Sequence, residues 1–196
     1  KDPKFQDILK EVNVPSAQTH AFDLDFAPQA GTRYYWRVLS GESVSKTAWF
    51  EPPLPLSAPA ITPLGLEQAD SAIVFKTFSI SKKITAARLY ISGLGLYEAS
   101  INGQKAGDEY LTPGFTVYDC AVQYQTYDVT DHIKSGQNTL EVILGNGWYK
   151  GRFGLGGSAC IYGNTLLCKA LLVLYTADGG QIEVKTDETW QSRKSF

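Results

Sequence analysis

The chain has 196 residues, 43% of them hydrophobic and 19% charged, enough apolar material for one or two cores and too much for a disordered segment. Its formal net charge of -2 and scattered lysines and arginines give no basic field to gather phosphates, which argues against nucleic acid as a partner. No apolar run approaches the roughly 20 residues of a membrane helix, so no membrane partner is expected. An opening of Lys1-Asp2-Pro3, with no Met anywhere, reads as a cut from a longer protein whose compartment is left open.

Strict alternation dominates the chain, and helical spacings are short and few, so an all-β fold is expected. Phe22, Leu24 and Phe26 alternate with Asp23 and Asp25, a strand with one wet face. Pro28 to Gly31 make a turn. Thr32 to Leu39 read as a strand with Tyr34, Trp36 and Val38 on one side, and Lys46 to Glu51 as another that carries Trp49. On alternating strands, Trp36 and Trp49 are expected to pack, in a core or against a neighbouring domain, rather than to meet a sugar. The run EPPLPLSAPAITPLGL, Glu51 to Leu66, holds five of the nine prolines and can sustain neither a regular ladder nor a helix. The expected organisation is a partial β module over residues 1–54, a linker over 55–68 and a longer β domain over 69–196.

In that longer domain Ala72 to Ile80 form one strand, Ala87, Leu89 and Ile91 mark the inner face of the next, and Tyr97, Ala99 and Ile101 continue the pattern. Asn102-Gly103 is a strong hairpin signal, because both residues tolerate φ > 0. After the loop Gly107 to Asp119, a strand should show Val122, Tyr124 and Thr126 on one face. Thr130 is placed to cap a helical turn over Asp131 to Lys134 that Ser135-Gly136 ends. Leu140, Val142 and Leu144 mark a further strand, leading into the glycine-rich segment Gly145 to Gly157. Lys169 to Tyr175 and Gln181 to Thr186 then flank a hairpin at Ala177 to Gly180. At least seven strands with frequent turns imply an antiparallel β-sandwich or jelly roll.

Little in the sequence has the spacing of a reactive site. Cys120, Cys160 and Cys168 form an odd set without C-x-x-C, so no disulfide framework or zinc site is indicated and buried free thiols are expected. Only His20 and His132 could supply imidazole, so no metal site is expected. A glycosidase needs two carboxyl groups roughly 5 to 10 Å apart across one bond. Asp108, Glu109, Asp128, Asp131, Glu141 and Asp178 read instead as solvated, turn or helix-start residues, and no catalytic residue is assigned. The segment GNGWYKGRFGLGG lacks the ending of a phosphate loop. It does place Trp148, Tyr149 and Phe153, with Asn146, Lys150 and Arg152, just after a strand end. Aromatic faces can stack on sugar rings, and Asn or Arg can bond hydroxyls; packing in the core or against a neighbouring domain is the other reading.

Between Leu89 and Gly154 four motifs follow in order: Tyr97 with Ile101-Asn102-Gly103, Leu111-Thr112-Pro113-Gly114, Tyr127-Asp128-Val129-Thr130 and Gly145-Asn146-Gly147-Trp148-Tyr149. By these motifs the stretch resembles the N-terminal β-sandwich domain of bacterial α-L-rhamnosidases, and with flanking strands the resemblance extends from Ala72 to Trp190. Upstream, Gly31 to Val38 resembles a late strand of the fibronectin type III module that precedes this domain in the family; residues 1 to 53 are too few for its seven strands. The resemblance implies a galactose-binding-like jelly roll lacking its last strands, in an accessory role beside a helical barrel further along the chain. That barrel holds the family's carboxylates, so nothing catalytic carries over and the fragment alone is expected to be inactive. The implied partners are the catalytic barrel of the same chain and a rhamnose-containing carbohydrate, with no cofactor. Asn146, Trp148, Tyr149 and Arg152 are the candidate residues for substrate or domain contact. A free-standing carbohydrate-binding module is the alternative.

Overall fold

The computed structural model describes residues 3–14, 23 and 25–195, and the strand expected around Phe22 and Leu24 falls largely outside them. The chain divides into two units, residues 1–55 and 56–196.

In the first unit β1 (Tyr34–Trp36) is followed by a two-residue hairpin of β2 (Leu39–Ser40) and β3 (Ser43–Val44), then by β4 (Ala48–Phe50). β1 and β4 pair antiparallel, Tyr34 opposite Phe50 and Tyr35 opposite Trp49. Tyr34 is buried and stacks on Phe50 at 5.3 Å, with Phe26 5.6 Å away, so the small core gathers on this one face. The single strand expected over residues 32–39 is interrupted, because the chain leaves the ladder after Trp36 to enter the turn at Gly41, φ 59°. Neither tryptophan is buried in this small core, Trp36 being 49% and Trp49 52% exposed. Register explains Trp49: opposite Tyr35 it lies on the face away from Tyr34 and Phe50, where the Arg33 guanidinium covers its ring at 3.9 Å. Trp36 sits opposite Ala48 at the end of the ribbon, beyond that core.

The second unit opens with proline-rich chain, of which part lies on the sheets. The amide of Ile61 donates to the Cys168 carbonyl and the amide of Cys168 to the Ile61 carbonyl, each at 2.8 Å, and the Thr186 hydroxyl donates to the Pro59 carbonyl. Next come β5 (Ser71–Ile80), β6 (Ile84–Leu94), β7 (Leu96–Ile101), β8 (Gln104–Lys105) and β9 (Gln125–Asp128). After a 3-10 turn at Thr130–His132 follow β10 (Gly136–Gly145), one helical turn α1 (Gly147–Lys150), β11 (Arg152–Phe153) and β12 (Ser158–Ala159). β13 (Leu167–Thr176), β14 (Gln181–Lys185) and β15 (Gln191–Lys194) complete it. One sheet has the order β15-β5-β10-β7-β8 and the other β14-β13-β6-β9, with antiparallel pairs throughout.

Period-two alternation produces this arrangement. Leu140, Val142 and Leu144 of β10 turn to the same interior as Ala87, Leu89 and Ile91 of β6, all fully buried, and Tyr97, Ala99, Ile101, Leu172 and Leu174 join them. Each fully buried leucine or isoleucine contributes on the order of 2 kcal/mol. The Asn102-Gly103 turn, with φ of 54° and 80° between paired Ile101 and Gln104, is the expected two-residue hairpin.

Three expectations fail in this unit. β9 is short and points Tyr127 inward, followed by buried Val129; Val122, Tyr124 and Thr126 do not form its inner face, because the chain through residue 121 is still turning, with the Cys120 and Ala121 amides both on the Val117 carbonyl. Thr130 does not cap the following turn with its side chain. Its hydroxyl donates to Asp128 at 2.6 Å and accepts from the Ala87 amide at 2.9 Å, tying turn to sheet. Finally, Cys168 is buried, but Cys120 and Cys160 are exposed because both lie on loops.

Candidate functional site

The site begins where β10 runs out. Gly147 has φ 51°, and a Cβ there would come within 2.6 Å of Leu96 Cγ, so glycine alone fits the start of α1. The turn closes through the Lys150 amide to the Asn146 carbonyl at 3.1 Å and the Gly151 amide to the Gly147 carbonyl at 3.2 Å. A Cβ on Gly151 would lie 2.3 Å from the Gly147 oxygen, so the exit needs glycine as well.

Both ends of this turn are tied to the chain before β5. Asn146 Nδ2 donates to Asp70 Oδ1 at 2.6 Å. The buried Lys150 ammonium donates to the Ala69 carbonyl at 2.7 Å and the Glu67 carbonyl at 3.3 Å. Beyond it, β11 and β12 pair Arg152 with Ala159 across a glycine turn, and exposed Arg152 spends Nη1 on the Gly157 carbonyl at 2.9 Å.

Fixed in this way, the turn presents Trp148 and Tyr149, both half-buried, to rings from two other loops. Phe115 stacks on Phe153 at 5.3 Å and meets Trp148 edge-on at 6.1 Å. Tyr118 meets Tyr149 at 5.2 Å and Tyr162 at 5.0 Å. Gly163 admits Tyr149, whose hydroxyl would lie 2.2 Å from any Cβ there. Burial, and secondarily the neighbouring Tyr162, push the Tyr118 phenol above its usual range. The Tyr118 hydroxyl and Asn146 Oδ1 are buried with no hydrogen-bond partner among the described residues.

Of the four candidate residues, then, Trp148 and Tyr149 enter one aromatic cluster, whereas Asn146 and Arg152 direct their donors at Asp70 and Gly157. Sequence reasoning missed Phe115, Tyr118 and Tyr162, which no local period links to Trp148, and it missed the burial of Lys150. The signal available was a second and third loop in which Phe115, Tyr118 and Tyr162 sit among glycine, proline and polar residues.

The acidic residues are spread over the unit. Asp128 pairs with Arg88 at 2.9 Å and Glu141 with Arg193 at 2.7 Å. Asp178, in the β13–β14 hairpin, is held well below the usual carboxylate range by Lys82 first, then by the Thr176 hydroxyl and the Gly180 amide. Lys105 lies 2.9 Å from Glu98 and 4.0 Å over the exposed Tyr110 ring, beside a cleft of about 290 Å³ that Leu96, Ile143 and Glu109 also line.

Fold and site together define a two-sheet antiparallel β-sandwich domain whose loop end carries an aromatic cluster. Residues 82–196 match the model of the α-L-rhamnosidase N-terminal domain, and the chain belongs to that family. An α-L-rhamnosidase of Streptomyces avermitilis is 41% identical over 111 residues, which cover 57% of this chain and 11% of that protein. One of Formosa agariphila is 37% identical over 121 residues, 60% of this chain and 13% of that protein. Among solved structures, the native α-L-rhamnosidase of Aspergillus terreus superposes with a TM-score of 0.79 at 37% identity, covering 85% of this chain and 21% of that one. The S. avermitilis α-L-rhamnosidase complexed with L-rhamnose gives 0.62 at 36% identity, covering 64% and 12%. The chain thus spans a small part of each relative, and the resemblance read between Leu89 and Gly154 is borne out.

Proposed function

We propose that this chain serves as an accessory β-sandwich in an α-L-rhamnosidase that removes terminal α-L-rhamnose from glycosides or polysaccharides. Its task is to brace the catalytic helical barrel of the same chain, with residues 145–157 turned towards that barrel and its substrate cleft. The observation that carries this reading is the family match over residues 82–196, seconded by relatives named α-L-rhamnosidases at 37–41% identity. Residues 1–54 are proposed as the last strands of a fibronectin type III-like module, a reading supported by the antiparallel β1–β4 pair and its Tyr34–Phe50 core. The test is to assay the full-length protein and the 196-residue chain on an aryl α-L-rhamnoside. Turnover by the former and none by the latter is expected, because Asp128, Glu141 and Asp178 are engaged in ion pairs dispersed over the domain rather than facing one bond. A full-length protein that cleaves other aryl glycosides but no α-L-rhamnoside would overturn the reading.

A further inference from the structure

The loop end carries aliphatic side chains as well as rings, and they face outward. Leu155 has a relative exposure of 112% at the tip of the β11–β12 turn, between Gly154 at φ 76° and Gly157 at φ 62°. Val117 is 54% exposed, Ile161 52% and Phe115 45%. Val117 precedes Tyr118 in the chain, Ile161 precedes Tyr162, and Leu155 lies two residues past Phe153, so all three are chain neighbours of rings in the cluster. One exposed leucine is ordinary, but several apolar residues gathered at one end mark an interaction surface.

Resting on the function proposed above, we infer that Leu155, Val117 and Ile161 dock into an apolar, uncharged hollow on the remaining part of the rhamnosidase chain, not onto a sugar. A sugar site needs open ring faces flanked by free donors and acceptors. Here each of the six rings meets another, Arg152 Nη1 bonds the Gly157 carbonyl, Asn146 Nδ2 bonds Asp70, and the two polar atoms without a partner, the Tyr118 hydroxyl and Asn146 Oδ1, are buried rather than presented at the surface. Branched aliphatic groups neither stack on a pyranose nor bond its hydroxyls, whereas they suit the apolar centre of a protein interface. Charge agrees: residues 115–118 carry none, and residues 145–162 carry only buried Lys150 and Arg152. A surface to receive them is available, since the chain covers only 11–21% of the S. avermitilis and A. terreus enzymes, and a partner on the same polypeptide is present at high effective concentration.

The test uses the full-length protein and its Leu155→Asp variant. That site has nothing packed on it, so the sandwich should fold unchanged, which the amide protection of β10 and β13 verifies. Hydrogen exchange of peptides spanning residues 152–162 is expected to be about tenfold slower in the parent than in the variant. Equal rates would overturn the docking. Protection that appears only on adding L-rhamnose would assign the tip to sugar, and protection that grows with protein concentration would assign it to a second copy; either overturns the inference. Aryl rhamnoside hydrolysis in the same samples separates the two readings. Hydrolysis with an unprotected tip refutes the docking alone, and a protected tip without hydrolysis supports the docking while refuting the enzymatic reading.

Discussion

Asn102 and Gly103 show how a residue identity becomes a backbone requirement and then a structural tie. Their φ values of 54° and 80° belong to the left-handed region, and no atom lies within 4 Å of a Cβ built on Gly103. Replacing Gly103 by Val therefore meets backbone strain without collision, and should destabilise the unit by about 1–2 kcal/mol; an unchanged melting temperature would show that the turn relaxes. The turn was legible in the sequence as a dipeptide. The second role of Asn102 was not: its Nδ2 donates to the His132 carbonyl and to Asn138 Oδ1, both at 2.8 Å, and its Oδ1 accepts from the Thr139 amide at 3.1 Å, partners 30 to 37 residues away. The cysteines differ in the same residue-by-residue manner. Burial pushes the Cys168 thiol up to about 12, while Cys120 and Cys160 are exposed. A disulfide reagent at pH 8 should therefore titrate two thiols quickly in the native chain and the third only after denaturation, because the thiolate is the reacting form. Three fast thiols would mean that the core around Cys168 opens readily.

Among the elements, the long strands were legible because one face of each meets the core, so apolar residues recur at every second position, as at Leu140, Val142 and Leu144. β9 was misplaced because Val122 and Tyr124 extend the alternation of Thr126 upstream into a loop, where it has no packing consequence. Trp36 and Trp49 stay out of the first unit's core for a related reason: a two-stranded ribbon has one inner face, and Trp49 is on the other. α1 was hidden altogether, since four residues carry no helical period. Its placement depends on Lys150, whose ammonium reaches the Ala69 and Glu67 carbonyls. Lys150→Met keeps the apolar stem but leaves the buried end of the tie without its donor, and should cost about 1–3 kcal/mol. Thermal melting of the variant checks this, and a loss below about 0.5 kcal/mol would show that water replaces the ammonium.

For the molecule as a whole, sandwich and family were both legible, the first from periodicity and the second from ordered motifs such as Thr112-Pro113-Gly114 and Gly145 to Tyr149. The cluster at the loop end was half legible. Trp148, Tyr149 and Phe153 are neighbours in sequence, but Phe115, Tyr118 and Tyr162 reach them only because the two sheets bring their loops to one end. That assembly bears on what Trp148 does. Its ring meets Phe115 at 6.1 Å, and Phe115 in turn touches Phe153, Tyr118 and Tyr162, so removing the indole loosens contacts among three loops. Trp148 is half-buried, so Trp148→Ala should cost less than the roughly 3–5 kcal/mol of a fully buried ring, yet enough to lower the melting temperature of the full-length protein. If the proposed rhamnosidase function holds, the ring's neighbours being other rings, the KM for an aryl α-L-rhamnoside should stay within about twofold of the parent value. A raised KM at unchanged melting temperature would instead make Trp148 a substrate contact, since a packing residue alters stability first and affinity only through it.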